Sequence, residues 1–217
     1  MNKILLASAL TTSLIMAGCS SSSDTAQDIV DNSTVKVSGS ITDSSASPEV
    51  PLSGVTVAAK YGNASLNPDP VTTDASGNYS TTVLKGTDFY LSASKTDYIT
   101  LNSAIKNLSA DDTGNDVGLV LTTAAEDMLT ASFGTTTLMT DAAWLVIDVV
   151  DANGNTVTPL PAITPTPSPN EIGSPVPDAP AYIAKYSNPG SVTVTVNGVS
   201  QTGTLVNGEV LFMEFEQ

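Results

Sequence analysis

Apolar and polar positions divide this chain into three stretches of different character. Residues 4 to 16, from Ile4 to Met16, are mostly apolar and follow Lys3. That run is shorter than the roughly 20 residues a bilayer-spanning helix takes. Residues 20 to 34, SSSSDTAQDIVDNST, are polar and acidic, with too few large apolar groups to fold alone. From Val35 onward the pattern becomes one of short punctuated strands. Val35 to Ile41 alternates apolar and polar residues, and Val55 to Ala59 follows Gly54. Val71 to Thr73 and Tyr79 to Val83 flank the turn Asp74-Ala75-Ser76-Gly77-Asn78. Phe89 to Ser94, Asp97 to Ile99 and Val117 to Leu121 complete the first set. About seven short strands at this spacing predict a Greek-key sandwich over 35–122.

The second half, 123–217, carries its own strand pattern. Ala124 to Leu129 predicts a helical turn or short linker helix, and Trp144 to Val150 a strong strand that ends at the turn Asp151-Ala152-Asn153-Gly154-Asn155. Residues 159–180 hold PLPAITPTPSP and SPVPDAP, which predict an extended loop or a sheet edge, because proline lacks an amide donor. Ser191 to Val196, Thr202 to Val206 and Val210 to Phe215 are separated by the turns Asn197-Gly198 and Asn207-Gly208. The expected architecture is therefore all-β: two Greek-key β-sandwich domains, at 35–122 and 123–217, behind a leader and a tether.

The first of these domains resembles a known family. Val37-Ser38-Gly39-Ser40-Ile41-Thr42-Asp43, Pro51-Leu52-Ser53-Gly54-Val55-Thr56-Val57, Thr73-Asp74-Ala75-Ser76-Gly77-Asn78-Tyr79 and Leu91-Ser92-Ala93-Ser94-Lys95-Thr96-Asp97-Tyr98 follow the order of the carboxypeptidase regulatory-like domain. The resemblance implies a transthyretin-like sandwich and, in most members, a non-catalytic attachment or cell-surface module. Asp97 departs from the pattern, since the family commonly places Gly before the aromatic. Independently of the family, Gly54 and Gly77 suit turn positions with positive φ, and Tyr79 should enter the core directly after its hairpin.

The N-terminus carries the sharpest localisation signal. A basic start, a brief apolar run and the small residues Ala17-Gly18 before Cys19 read as an export signal. Cys19 is the chain's one cysteine. The arrangement resembles a bacterial lipoprotein signal, which implies cleavage of residues 1–18 and acylation (palmitate) at Cys19; Met16 stands where leucine is usual. Residues 19–34 then form a flexible tether. Ser20 and Ser21 follow the cysteine, and an Asp at the second mature position, which would resemble an inner-membrane retention signal, is absent; the expected location is the outer membrane, on its periplasmic face or at the cell surface. Two or more acyl chains hold a protein stably where one does so only marginally.

Charge narrows the function further. Lys and Arg number 7 against 22 Asp and Glu, for a formal net charge of −15. Such a surface repels nucleic acid and anionic lipid heads. The chain contains no His and no Arg, which removes the commonest general base, the commonest zinc ligand and the best bidentate anion clamp. No enzyme activity, metal or cofactor is expected. Acidic turns at Asp111 to Asp116 and Asp148 to Asn155 place oxygen ligands near a glycine, but neither matches the EF-hand loop, and hairpin turns need the same residues without a metal. Ser103-Ala104-Ile105-Lys106 has Ser-x-x-Lys spacing without the motifs that accompany it in penicillin-binding enzymes. Tyr182 and Tyr186, close together after the proline segment, are the best candidates for an exposed, sugar-stacking pair. The expectation is a lipid-anchored, non-catalytic envelope module with a structural, adhesive or ligand-binding role, its partners being the membrane and an envelope protein or glycan. The alternative is a carbohydrate-binding accessory lipoprotein of a polymer-degradation or transport system.

Overall fold

A computed structural model describes residues 33–174 and 182–217. The leader, Cys19, most of the tether and the end of the proline segment lie outside the described residues. In chain order the first strands are β1 (Thr34–Asp43), β2 (Val50–Pro51), β3 (Thr56–Tyr61), β4 (Val71–Thr72), β5 (Asn78–Leu84), β6 (Phe89–Ser94), β7 (Leu101–Asn102) and β8 (Val117–Leu119). Helix α1 (Thr122–Phe133) follows. The remaining strands are β9 (Ala143–Val150), β10 (Ile163–Thr166), β11 (Glu171–Ile172), β12 (Tyr182–Tyr186), β13 (Gly190–Val196), β14 (Val199–Leu205) and β15 (Val210–Glu216). The protein is an all-β sandwich, as its alternation predicts.

Strand order explains how the two halves pack. In the first half β2-β1-β5, with β8 parallel to β1, faces the sheet that contains β3, β6 and β7. Val35, Val37 and Ile41 of β1 and Tyr79 and Val83 of β5 meet Val57, Ala59, Leu91 and Ala93 in one apolar core. In the second half β10-β13-β14 covers β9, β12 and β15 through Val192, Val194, Leu145, Ile147, Met213 and Phe215. Each half thus has its own core. The sheet itself does not stop at residue 122: its order is β11-β12-β9-β15-β7-β6-β3-β4, so eight strands run through both halves. The joint is β15, which pairs in parallel with Trp144 to Val150 of β9 and with Leu101 and Asn102 of β7. Residues 32–217 form one compact unit by their contacts.

Helix α1 is longer than the expected Ala124–Leu129 turn. Ala125, Leu129 and Ser132 recur at helical spacing and are buried, and Gly134 ends the helix in the left-handed conformation at φ 71°. The helix seals the other face of β9, where Trp144, Val146, Ile183 and Val210 form a third core. Being covered on both faces, β9 reads AWLVIDVV, a continuous apolar run rather than an alternation. Trp144 is fully buried, and its Nε1 donates to the Met139 carbonyl at 2.8 Å.

Several local expectations are met and one is revised. Gly54 and Gly77 have φ of 71° and 78°. Tyr79 lies in the core at 5 % exposure. Ile163 to Thr166 of the proline segment is an edge strand on β13, where Pro165 is tolerated. Asp97 to Ile99 is not a strand: Asp97 sits at φ 70°, and the strand-type pairing of Tyr98 is an isolated bridge to Leu121. The left-handed region is open to Asp, though less freely than to Gly.

Candidate functional site

The segment after β7 carries the most concentrated polar chemistry of the first half. Lys106 pairs with Phe89 through backbone hydrogen bonds in both directions, at 2.7 and 3.0 Å. Its ammonium meets the Asp112 carboxylate at 3.1 Å, the single ion pair among the described residues, and also donates to Asn115 Oδ1. The chain then runs along β1. The Ser38 amide donates to the Asp112 carbonyl, and the Asn115 amide to the Ser38 carbonyl, at 3.0 and 3.2 Å. Acid side chains complete the seam. Asp111 Oδ1 accepts from the Lys36 amide at 2.8 Å, while Asp116 Oδ1 accepts from the Ser40 amide at 2.7 Å and its hydroxyl at 2.9 Å.

This seam decides what the Asp111–Asp116 turn does. Three of its carboxylates are engaged by backbone, hydroxyl or lysine donors, which is the bonding of a lacing segment. In the other acidic turn, Asp151 Oδ1 accepts from the amides of Asn153 and Asn155 at 2.8 and 2.9 Å. These bonds, the Asn155 amide first, hold the Asp151 carboxyl below its usual range. Among the described residues no group of three or more His, Cys, Asp or Glu stands together as a metal site would require.

Beside the lacing segment a cleft of about 210 Å³ opens between the layers of the first sandwich. Its floor is apolar and buried, formed by Ile41, Val57, Leu91 and Leu101. Its rim is polar and includes Ser103, Lys106, Asn115, Asp116 and Glu214. Tyr79 reaches from the floor to donate its hydroxyl to the Asn115 carbonyl at 2.9 Å. Burial, then the charges of Asp116 and Asp112, push the Tyr79 phenol well above its usual range. The strand pairing accounts for the opening. β15 stays with β9 for its full length but leaves β7 after Leu211, while Ile105 turns away to donate to the Thr202 carbonyl at 2.7 Å.

The tyrosines singled out by sequence occupy a different place. Tyr182 and Tyr186 both lie on β12, and their rings pack into the core of the second sandwich. Tyr186 is 2 % exposed and donates its hydroxyl to the Pro167 carbonyl at 3.1 Å. Burial, then neighbouring Tyr182, push its phenol up to about 12. The Tyr182 hydroxyl is itself buried. The expectation of an exposed, stacking pair is therefore corrected. A period of two carries both rings inward with Ala184, and only the strand assignment of 182–186 reveals it. Ser103 and Lys106 do not form a nucleophile pair either: Ser103 Oγ accepts from the Leu91 amide and donates to the Ala104 carbonyl, while Lys106 turns to Asp112 and Asn115. Sequence reasoning missed Asn115 and Glu214 as rim residues. Nothing in their local pattern signals it, because strand departure brings them together.

No protein-family model and no curated protein matches the chain. Among solved structures, the Bacillus anthracis TIE protein is similar at 16% identity and a TM-score of 0.30, over 84% of this chain and 34% of that one. The chain thus spans about a third of that protein's length. A streptococcal ancillary pilin is 12% identical with a TM-score of 0.30, covering 86% of this chain and 63% of the other. A DUF3823 family protein from Parabacteroides merdae is 13% identical with a TM-score of 0.27, covering 81% and 98%. Likeness at this level is too remote to carry a function across.

Proposed function

We propose that the chain is a lipid-anchored, non-catalytic module of the cell envelope, held at the outer membrane through Cys19 and presenting its two sandwiches as one body for structural or adhesive contact. The observation that carries this reading is the N-terminal sequence: an apolar run, small residues and then the chain's one cysteine, followed by a polar tether. The carboxypeptidase regulatory-like pattern of 35–122 agrees with an attachment module. The shared sheet also supports it, since β15 joins the halves by backbone hydrogen bonds on both of its edges. Envelope modules that bear contacts on one part and an anchor on another benefit from such a joint. Polar groups that could have formed a reaction centre, Lys106 with Asp112 and Ser103, are instead bonded to the fold. Among the described residues no helix is long and apolar enough to cross a membrane; in this reading the chain is attached through an acylated Cys19. The glycan-binding alternative loses its two named tyrosines to the core.

The test is expression of the full-length chain beside Cys19→Ala, with membrane fractionation and protease digestion of intact cells. A membrane-bound wild type and a soluble or unprocessed variant are the expected result. Cleavage of the wild type on intact cells would place it at the surface, and protection would place its partners in the periplasm. Anchoring that survives Cys19→Ala overturns the reading.

A further inference from the structure

We propose that the cleft of the first sandwich is a binding site for a small amphiphile with a compact hydrocarbon body and a cationic amine head. The inference is independent of the anchor and goes beyond a purely structural role.

Three observations converge on that ligand class. The first is shape. The cleft lies where β7 and β15 part after Leu211, so it is built into the sheet order. Its volume is about 210 Å³. That falls below the roughly 300 Å³ at which drug-sized pockets begin, which suits a compact molecule.

The second is the floor. Ile41, Val57, Leu91, Ala93, Leu101 and Phe212 offer hydrocarbon from five strands, and a water there would find few partners. A short alkyl or branched aliphatic body therefore gains by entering.

The third is the sign of the rim. Lys106 is its one cation, and it is already occupied by Asp112 and Asn115. Asp116 spends Oδ1 on Ser40, leaving Oδ2 for another donor, and Glu214 lends only its backbone carbonyl, to Gln201 Nε2 at 2.6 Å. Asp116 and Glu214 both belong to the cleft lining, and both residues are exposed. A carboxylate or phosphate head would meet two uncompensated acids, whereas an ammonium would meet two acceptors.

The experiment titrates the full-length chain with hexylamine and, separately, with hexanoate, following methyl and aromatic resonances by NMR. The expected result is saturable shifts for hexylamine centred on Ile41, Leu91, Leu101 and Phe212, with hexanoate at least about tenfold weaker. The double variant Asp116→Asn, Glu214→Gln keeps the acceptor for Ser40 and should abolish the preference for the amine while hexanol, a neutral probe, binds as in the wild type. Shifts spread over the acidic surface without a set of floor residues overturn the site. Equal binding of amine and carboxylate overturns the assigned head group. An unchanged preference in the double variant overturns the role given to Asp116 and Glu214.

Discussion

Replacing Gly39 with Ala tests whether the lacing segment 111–116 depends on its close approach to β1 at that glycine. Gly39 is in β1, on the inward phase shared by Val35, Val37 and Ile41. A Cβ built there would lie 2.1 Å from the Asn115 carbonyl oxygen and 2.4 Å from its carbon. Carbon and oxygen ordinarily approach no nearer than about 3.3 Å, so the Asn115 backbone must retreat by about 1.2 Å. That displacement pulls on the Asn115 amide bond to Ser38, the Tyr79 hydroxyl bond to Asn115 and the Asp116 bonds to Ser40. Losing two or three of them costs about 2–3 kcal/mol at a net 1 kcal/mol each. Relief of glycine's conformational freedom in a strand returns about 0.5–1 kcal/mol. The expected net loss is about 2 kcal/mol, or a fall in Tm of about 4–8 °C. Urea and thermal unfolding of the full-length chain measure it, followed by the fluorescence of the chain's one tryptophan. Gly62→Ala serves as the control, because nothing lies within 4 Å of a Cβ there; it should stay within about 0.5 kcal/mol of wild type. A Gly39→Ala protein as stable as wild type, or more so, would refute the reasoning.

Further outcomes follow from the same contacts. Trp144→Phe should destabilise by about 2 kcal/mol in urea unfolding, since it leaves a void beneath α1 and strands the Met139 carbonyl that Nε1 now satisfies. Asp97→Gly should stabilise by roughly 0.5 kcal/mol, because φ 70° strains Asp by more than the added freedom of glycine costs; a loss of Tm would contradict that. Stability should decline as pH rises above about 10, where unfolded tyrosines ionise while Tyr79 and Tyr186 are still held protonated; their stabilisation is present below that pH and is lost as pH climbs through the raised folded values. Tyr186→Phe should flatten this slope in Tm measured from about pH 9 to 11.5. Calcium or chelator should leave Tm unchanged, because the Asp151 carboxylate is already bonded to its own turn and no group of three or more acids stands together among the described residues; a calcium-dependent rise of several degrees would reopen a metal role.

What the sequence determined by itself is local. Alternation fixed β1, β5 and β13, because a half-buried strand repeats every two residues. Gly54 and Gly77 announced their positive φ because a turn admits few residues there. Charge and the missing His and Arg bounded the chemistry, and the segment up to Cys19 framed the expected location, since both depend on composition and order alone. Tertiary structure decided the rest. The sheet shared through β15 joins residues more than one hundred positions apart, and nothing in Val210–Glu216 names β7 and β9 as its neighbours. The inward turn of Tyr186 depends on which strand it joins, and the need for glycine at position 39 on where Asn115 crosses. The cleft exists because β7 and β15 part company. Periodicity is written along one strand, whereas close approach and departure belong to pairs of strands, and only packing chooses the pairs.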